Sequence, residues 1–194
     1  NTYTGATTVN SGTLSVTNSS GLGSTASGTT VANGAALQFT GGITIADAIT
    51  VLGTGISSTG ALRNLSGVNA VTGLVTITGD TKFQSDAGSL TLMPSSGNAI
   101  TGNYNLTFDG VGTTMAGTLG IGTASVTKVG TGFLNLLTAS TYDGGTTVSG
   151  GILGLYQNSA AGTGAISLGA NTTLRLGRAV TCSCGHTRRV TGSC

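Results

Sequence analysis

"STYDGGTTVSGGILGL" (residues 140–155) repeats, 139 positions on, the phrase that opens the chain, "NTYTGATTVNSGTLSV" (residues 1–16). Eight of the sixteen positions are identical: Thr2 and Thr141, Tyr3 and Tyr142, Gly5 and Gly144, Thr7 and Thr146, Thr8 and Thr147, Val9 and Val148, Gly12 and Gly151, Leu14 and Leu153. Neither copy holds a catalytic cluster or a run of like charge. What both hold is a short apolar alternation, "TTV", then a glycine turn, then a second alternation ending on Val or Leu. Period two is the pattern of a strand with one face turned inward.

The same grammar runs through the chain: "GTLSV" (12–16), "GAALQF" (34–39), "GALRNL" (60–65), "GLVTIT" (73–78), "GSLTL" (88–92), "NLTF" (105–108), "GFLNL" (132–136), "GILGL" (151–155) and "TTLRL" (172–176). Shorter pieces stand between them: "TTV" at 7–9, 29–31 and 146–148, and "ISL" at 166–168. The units recur every 15–25 residues or so, with two or three short strands per interval, which is the signature of a solenoid. Sandwiches favour longer strands with more aromatic core, and propellers carry an aromatic motif in each blade. A parallel β-helix needs only short strands, inward Leu, Val and Ile, and small residues at tight corners. The chain is therefore read as all-β, a parallel β-helix over residues 1–177, followed by a separate tail at 178–194. At a coil spacing of about 4.8 Å, eight or nine coils would make a rod of about 40 Å.

Composition supports this reading and excludes several functions. Gly numbers 35 and Thr 37, there is one proline (Pro94), and Trp and Glu are absent. Charged residues are 6% of the chain and apolar ones 38%, with net charge +2. Disordered chains show the opposite balance. Gly and β-branched Thr both disfavour helix. Lys82, Lys128, Arg63 and Arg175 are scattered, so the basic stripe of a nucleic-acid binder is missing and no nucleic acid is expected as partner. No apolar run is long enough to span a bilayer, so no membrane insertion by this segment is expected. The start at Asn1, within a repeated phrase, reads as a chain processed or excised from something longer.

The stretch "KVGTGFLNLLTASTYDGGTTVSGGILGL" (128–155) resembles the autotransporter-associated β-strand repeat. That pattern runs K-x-G-x-G-x-L-x-L, a short gap, N-T-Y-x-G-x-T-x-[IV], then a Gly-Thr-Leu step. Lys128, Gly130, Gly132, Leu134, Leu136, Thr141, Tyr142, Gly144, Thr146, Val148, Gly151 and Leu153 occupy its places. Residues 1–16 are similar to its second half, and the stretch at roughly 40–127 is similar in texture only. The resemblance implies a right-handed parallel β-helix from the passenger of a secreted bacterial surface protein, a stalk or adhesive surface. In that setting Gly5 and Gly144 turn corners, Val9, Leu14, Val148 and Leu153 fill the core, the Thr pairs form outer ladders, and Tyr3 and Tyr142 cover the coil or contact a ligand.

Catalytic readings are weak. The acids are Asp47, Asp80, Asp86, Asp109 and Asp143. "DG" at 109–110 and 143–144 reads as turn chemistry, with Gly at positive φ. Asp80, Asp86 and Lys82 form the one charge cluster that spacing suggests. His186 is the only histidine, and no G-x-S-x-G is present, so no nucleophilic triad is assigned. The "G-x-G" pairs have no helix after them and carry no phosphate-binding weight. Thr-x-Thr spacing, which would build an ice-binding row, occurs only at Thr2/Thr4 and Thr76/Thr78. No catalytic, cofactor-binding or metal-binding residue is assigned, and no cofactor is expected. The tail "RAVTCSCGHTRRVTGSC" (178–194) holds Cys182, Cys184 and Cys194. It is open to three readings: a segment alien to the repeat, disulfide chemistry among those cysteines, or a metal site that includes His186, although the spacing is not a standard zinc pattern.

The expected function is a non-enzymatic structural and adhesive segment, extracellular or on the bacterial cell surface, whose Thr, Ser and Asn surface meets glycans, proteins or copies of itself. A self-assembling filament subunit, stacked through open β-helix edges, is the alternative. A polysaccharide-degrading enzyme is the reading the composition supports least.

Overall fold

A computed structural model describes residues 1–177 of the chain, and the tail with Cys182, Cys184, Cys194 and His186 lies outside the described residues. The described residues fold as an all-β parallel solenoid of eight coils. The first coil has strands β1 (Thr7–Val9) and β2 (Thr13–Val16). The second has β3 (Thr29–Val31), β4 (Ala36–Phe39) and β5 (Thr44–Ile45), and the third β6 (Ile49–Gly53), β7 (Leu62–Asn64) and β8 (Val68–Val71). The fourth has the long β9 (Val75–Ser85) and β10 (Ser89–Leu92). The fifth has β11 (Ile100–Thr101), β12 (Leu106–Asp109) and β13 (Thr113–Ala116). Then come β14 (Leu119–Gly120), β15 (Val126–Lys128) and β16 (Phe133–Leu136) in the sixth. The seventh has β17 (Thr146–Val148) and β18 (Ile152–Leu155), and the eighth β19 (Ile166–Leu168) and β20 (Thr173–Leu176). The one helical turn among the described residues is a 3₁₀ turn at Ile56–Ser58.

Every strand pairing is parallel, and the strands stack in three ladders that form three faces. The first face runs β1, β3, β6, the start of β9, β11, β14. The second runs β2, β4, β7, the end of β9, β12, β15, β17, β19. The third runs β5, β8, β10, β13, β16, β18, β20. β9 passes from the first face to the second without leaving strand conformation, so the two share one sheet.

Alternation decides what fills the interior. On the second face Leu14, Leu37, Leu62, Phe83, Phe108, Lys128, Val148 and Leu168 stack in register with side chains inward. Phe83 and Phe108 pack with ring centroids 5.6 Å apart at 51°, a tilted geometry that suits the ring quadrupoles. Below this pair the register partners are 21 to 25 residues apart. From Phe108 through Lys128 and Val148 to Leu168 each step is 20. The early coils carry their extra residues as corner excursions, such as the one holding Ile56–Ser58.

The repeated phrase does not return to the same face. In the first copy "TTV" is β1 on the first face and "TLSV" is β2 on the second; in the second copy "TTV" is β17 on the second face and "ILGL" is β18 on the third. The ladder that carries Thr146–Val148 begins on Thr13–Val16, six coils lower. The 139-residue separation is thus six coils plus one face.

Two sequence expectations need correction. Gly5 and Gly144 both stand at bends, but Gly144 lacks the positive φ that its "DG" pair predicts; Gly12 (φ 75°), Gly145 (φ 83°) and Gly151 (φ 70°) adopt the left-handed conformation. Gly144 is required for space instead, because a Cβ there would lie 2.4 Å from the carbonyl oxygen of Ala124 on the coil beneath. The Thr pairs do not both face outward either. In T-T-V the first and third residues turn inward, so Thr146 is buried and only Thr147 is exposed.

Candidate binding surface

Outward positions on the first face stack Thr8, Thr30, Thr50, Thr76 and Thr101 in unbroken register over five coils. On the second face a later ladder stacks Thr107, Thr127, Thr147 and Ser167. Thr8 and Thr147, the two equivalent outward residues of the repeated phrase, each belong to one of these ladders. Apart from Thr101, whose Oγ1 donates to Gly120 O at 3.5 Å, these hydroxyls bond to nothing else among the described residues. Outer ladders are what the resemblance implies for the Thr pairs, and Thr8 and Thr147 form them; their partners Thr50, Thr76, Thr101, Thr107 and Thr127 escape sequence spacing because they lie a coil apart, not two residues apart.

Below the second ladder, the second face is charged. The Arg63 guanidinium pairs with Asp86 at 2.5 Å, and Gln84 donates to the other Asp86 oxygen at 2.6 Å. The Lys82 ammonium pairs with Asp109 at 2.5 Å and donates to the Ser58 carbonyl at 2.7 Å. The Asp80, Asp86 and Lys82 cluster suggested by spacing is therefore not formed. Asp80 instead accepts from the Asn105 backbone at 2.9 Å; alternation sets Asp80 and Lys82 on the same outward side of β9, and the coil above supplies a separate partner to each. Burial raises the Asp109 carboxyl, but the Lys82 hydrogen bond, the Gly110 N–H and the charges of Lys82 and Lys128 outweigh it, and the net shift is downward. Asp109 also accepts from Gly110 N at 2.6 Å, and Gly110 has φ 104°, as the "DG" reading anticipates. At Asp143–Gly144 the positive φ falls one residue later, on Gly145.

Asp47 is buried and accepts from Thr29 Oγ1 at 2.5 Å. A second interior polar group sits at the corner between the second and third faces. There Asn64 donates to Ser85 Oγ at 3.1 Å and to Ala87 O at 2.7 Å. Asn69 donates to Asn64 Oδ1 at 2.5 Å and accepts from Ile43 N at 2.8 Å. The asparagine pair is fully partnered and satisfies turn backbone that the core would otherwise strand, whereas the other oxygen of Asp47, Oδ1, is buried without a hydrogen-bond partner. Among the described residues no group of three or more His, Cys, Asp or Glu is placed to hold a metal ion. Among them, too, no helix is long and apolar enough to cross a membrane.

The two phrase copies make the same local contacts. Tyr3 Oη and Thr7 Oγ1 are 2.7 Å apart, and Tyr142 Oη and Thr146 Oγ1 are 2.6 Å apart. The loops after them also agree. Gly21 N donates to Asn18 O as Ala160 N does to Gln157 O, and Gly23 N to Ser20 O as Gly162 N does to Ser159 O. Each loop then closes over the tyrosine, with Ser24 N donating to Tyr3 O and Thr163 N to Tyr142 O, both at 2.9 Å. The structural repeat thus runs on through residues 24 and 163, where identity is too thin to show it.

Residues 1–16 and 126–155 match the family model of the passenger-associated-transport repeat. These two stretches are similar to passenger-associated-transport repeats. With the solenoid fold they fit an autotransporter passenger repeat. No curated protein and no solved structure matches the chain. Within the longer match, the passenger repeat supplies both the second phrase and the coil beneath it. Gly130 turns that coil at φ 68°, and a Cβ on Gly132 would lie 2.0 Å from Gly112 O. Leu153 and Val148 are fully buried; Val9 is buried and Leu14 half-buried. Lys128 is a repeat position whose burial the sequence pattern does not show. It points into the core column between Phe108 and Val148, and its Nζ donates to Val129 O and, at 2.9 Å, to Gly130 O. Burial pulls its ammonium down to about 8, against the opposing charge of Asp109. The aliphatic stem fills the column while the head caps carbonyls of the next turn.

Proposed function

We propose that this chain is a non-enzymatic, rod-forming segment of a secreted or surface-displayed bacterial passenger, and that its hydroxyl ladders are an adhesive surface for glycans. The carrying observation is the passenger-associated-transport repeat at residues 1–16 and 126–155, set in a parallel solenoid. Two features support the adhesive part. The ladder hydroxyls other than that of Thr101 bond to nothing else among the described residues, and the ladder spacing of about 4.8 Å offers a row of donors and acceptors to an extended polysaccharide. Four of the five carboxylates are engaged separately, Asp86 with Arg63, Asp109 with Lys82, Asp80 with Asn105 and Asp47 with Thr29, and no two of them share a partner, which supports a scaffold over hydrolytic chemistry.

The test is binding of the purified chain to a glycan array, with Thr30, Thr50 and Thr76 changed together to Val. Removing three hydroxyls at about 0.5–1.5 kcal/mol each should weaken binding at least about tenfold while circular dichroism stays the same. Unchanged binding in the triple variant, or no glycan bound by the folded parent, would remove the adhesive reading.

A further inference from the structure

The two hydroxyl ladders differ in what surrounds them. Around Thr8, Thr30, Thr50 and Thr76 the first face carries no ionisable side chain, since residues 6–10, 28–32, 48–52 and 74–78 include no Asp, Lys or Arg. Asp47 and Asp80, which adjoin these segments in the chain, are engaged elsewhere. Asp47 is buried against Thr29, and Asp80 holds the Asn105 backbone at the next corner. The second ladder starts beside charge. Thr107 stacks directly on Lys82, which pairs with Asp109 on a face that also holds Arg63.

The margins of the first ladder are small or aliphatic. On one side stand Gly28, Ala48 and Leu74, one on each of the second, third and fourth coils, and Leu74 is 40% exposed. Their carbonyls accept from Thr7 N, Thr29 N and Ile49 N, so they stack as the ladder does. On the other side stand Ala32, Leu52 and Thr78. Leu52 is half-buried, and its Cδ1 lies 3.3 Å from where a Cβ on Gly79 would sit, so that glycine leaves the leucine its room. The face is thus a row of hydroxyls, one per coil, between two aliphatic margins. The strands of these three coils pair with a coil above and a coil below. A polypeptide would find no backbone edge there to extend, so a ligand meets side chains.

We propose that the first-face ladder takes an uncharged polysaccharide laid along the rod, across the strands. This site narrows the ligand of the adhesive reading above, on which it rests. A pyranose presents hydroxyls at its edge and C–H groups on its faces. Thr30, Thr50 and Thr76 suit the edge, and Leu52 and Leu74 suit the faces. A carboxylate or sulfate in the same place would lose water and gain no counter-charge, a cost that no residue of this face offsets. The direction follows from the stacking. A sugar chain lying along the rod meets a threonine at every coil from Thr8 to Thr101, four steps that span about 19 Å at the strand spacing. A chain lying along one strand meets a single member of the ladder.

The test is calorimetric titration of the 194-residue chain with neutral oligosaccharides (glucans, mannans and galactans) of increasing length, and with uronic-acid oligosaccharides of the same lengths. Neutral chains should bind about two- to tenfold tighter for each sugar that reaches another threonine, up to the length of the ladder. Raising the salt should change their Kd by less than about twofold, because no ion pair is made. Leu74→Asp and Thr50→Asp put a charge into the face, and each should weaken neutral binding about tenfold with the circular dichroism of the parent. Lys82→Gln, on the second face, should leave neutral binding unchanged. Preference for the uronic-acid series, with a Kd that rises steeply with salt and weakens in Lys82→Gln, would overturn the proposal and leave the adhesive reading standing. So would neutral binding that ignores length or survives Leu74→Asp. Binding to neither series would overturn it too, and the glycan array then decides whether the adhesive reading falls with it.

Discussion

Tyr3 and Tyr142 occupy the same place in the same phrase, hydrogen-bond to equivalent threonines and are closed over by equivalent loops, yet Tyr3 is 42% exposed and Tyr142 is 0% exposed. Identical local structure has formed around both rings. What separates them is the sixth coil, which lies beneath Tyr142 and has no counterpart beneath Tyr3 among the described residues. The comparison separates two contributions in a solenoid: what a repeat builds for itself and what its neighbour adds, the nearest-neighbour form of stability expected of quasi-one-dimensional folds. The phenol records the neighbour's share, since burial pushes the Tyr142 hydroxyl up to about 12, partly offset by the Thr146 hydrogen bond.

The largest effect should come from the rings themselves. Tyr142→Ala removes a fully buried aromatic and should cost about 3–5 kcal/mol, as large aromatic truncations do. Tyr3→Ala should cost below about 1 kcal/mol, within the range of surface changes. Urea unfolding of the two variants measures the difference, and equal losses would break the comparison.

The supporting coil should also leave its mark on the pH profile. Lys128 ionises at about 8 in the folded chain and 10.5 unfolded. Between those values the unfolded chain binds the extra proton, so stability rises with pH. Tyr142 works against this above pH 10, where the unfolded phenol ionises first and the folded one keeps its proton to about 12. Stability should therefore climb by about 2–3 kcal/mol from pH 8 to a maximum near 10, then fall. In Lys128→Met the climb should vanish; a rise that persists would mean another group causes it.

The smallest contrast is at the glycines. Gly144→Ala should cost about 1–3 kcal/mol, because its Cβ would press on the Ala124 carbonyl. Gly5→Ala meets no atom and should be neutral, or stabilising by a few tenths of a kcal/mol through the unfolded chain. Thermal melting of both variants sharpens the comparison, and a shared loss would mean the backbone at Gly5 is constrained by something other than packing.

Much of the fold could be read from residues close together in the chain. Alternating Leu and Val between glycines gave strands at "GTLSV", "GFLNL" and "GILGL", and these are β2, β16 and β18. Strands without that signature, such as "TTMA" of β13 or the run-on of β9 into "TKFQS", were not legible, because their inward residues include Thr and Ala that alternate only in company. Of the candidate surface, outer Thr ladders were expected at the repeated phrase, but which threonines of the middle coils join them was not legible. Their geometry depends on coil lengths that vary from step to step, and those lengths are set by corner excursions.

By itself, then, the sequence determined a β-solenoid with Leu and Val inward and glycines at the turns, since period and local sterics act over a few residues. Only the tertiary structure decided that the second phrase sits one face round from the first. It also decided that Lys128 lies in a core column, that Asp86 pairs with Arg63 and not Lys82, and that one tyrosine is buried while its twin is not. Each of these depends on which residue a coil brings to lie above or below another, a sum over many residues that no short stretch contains.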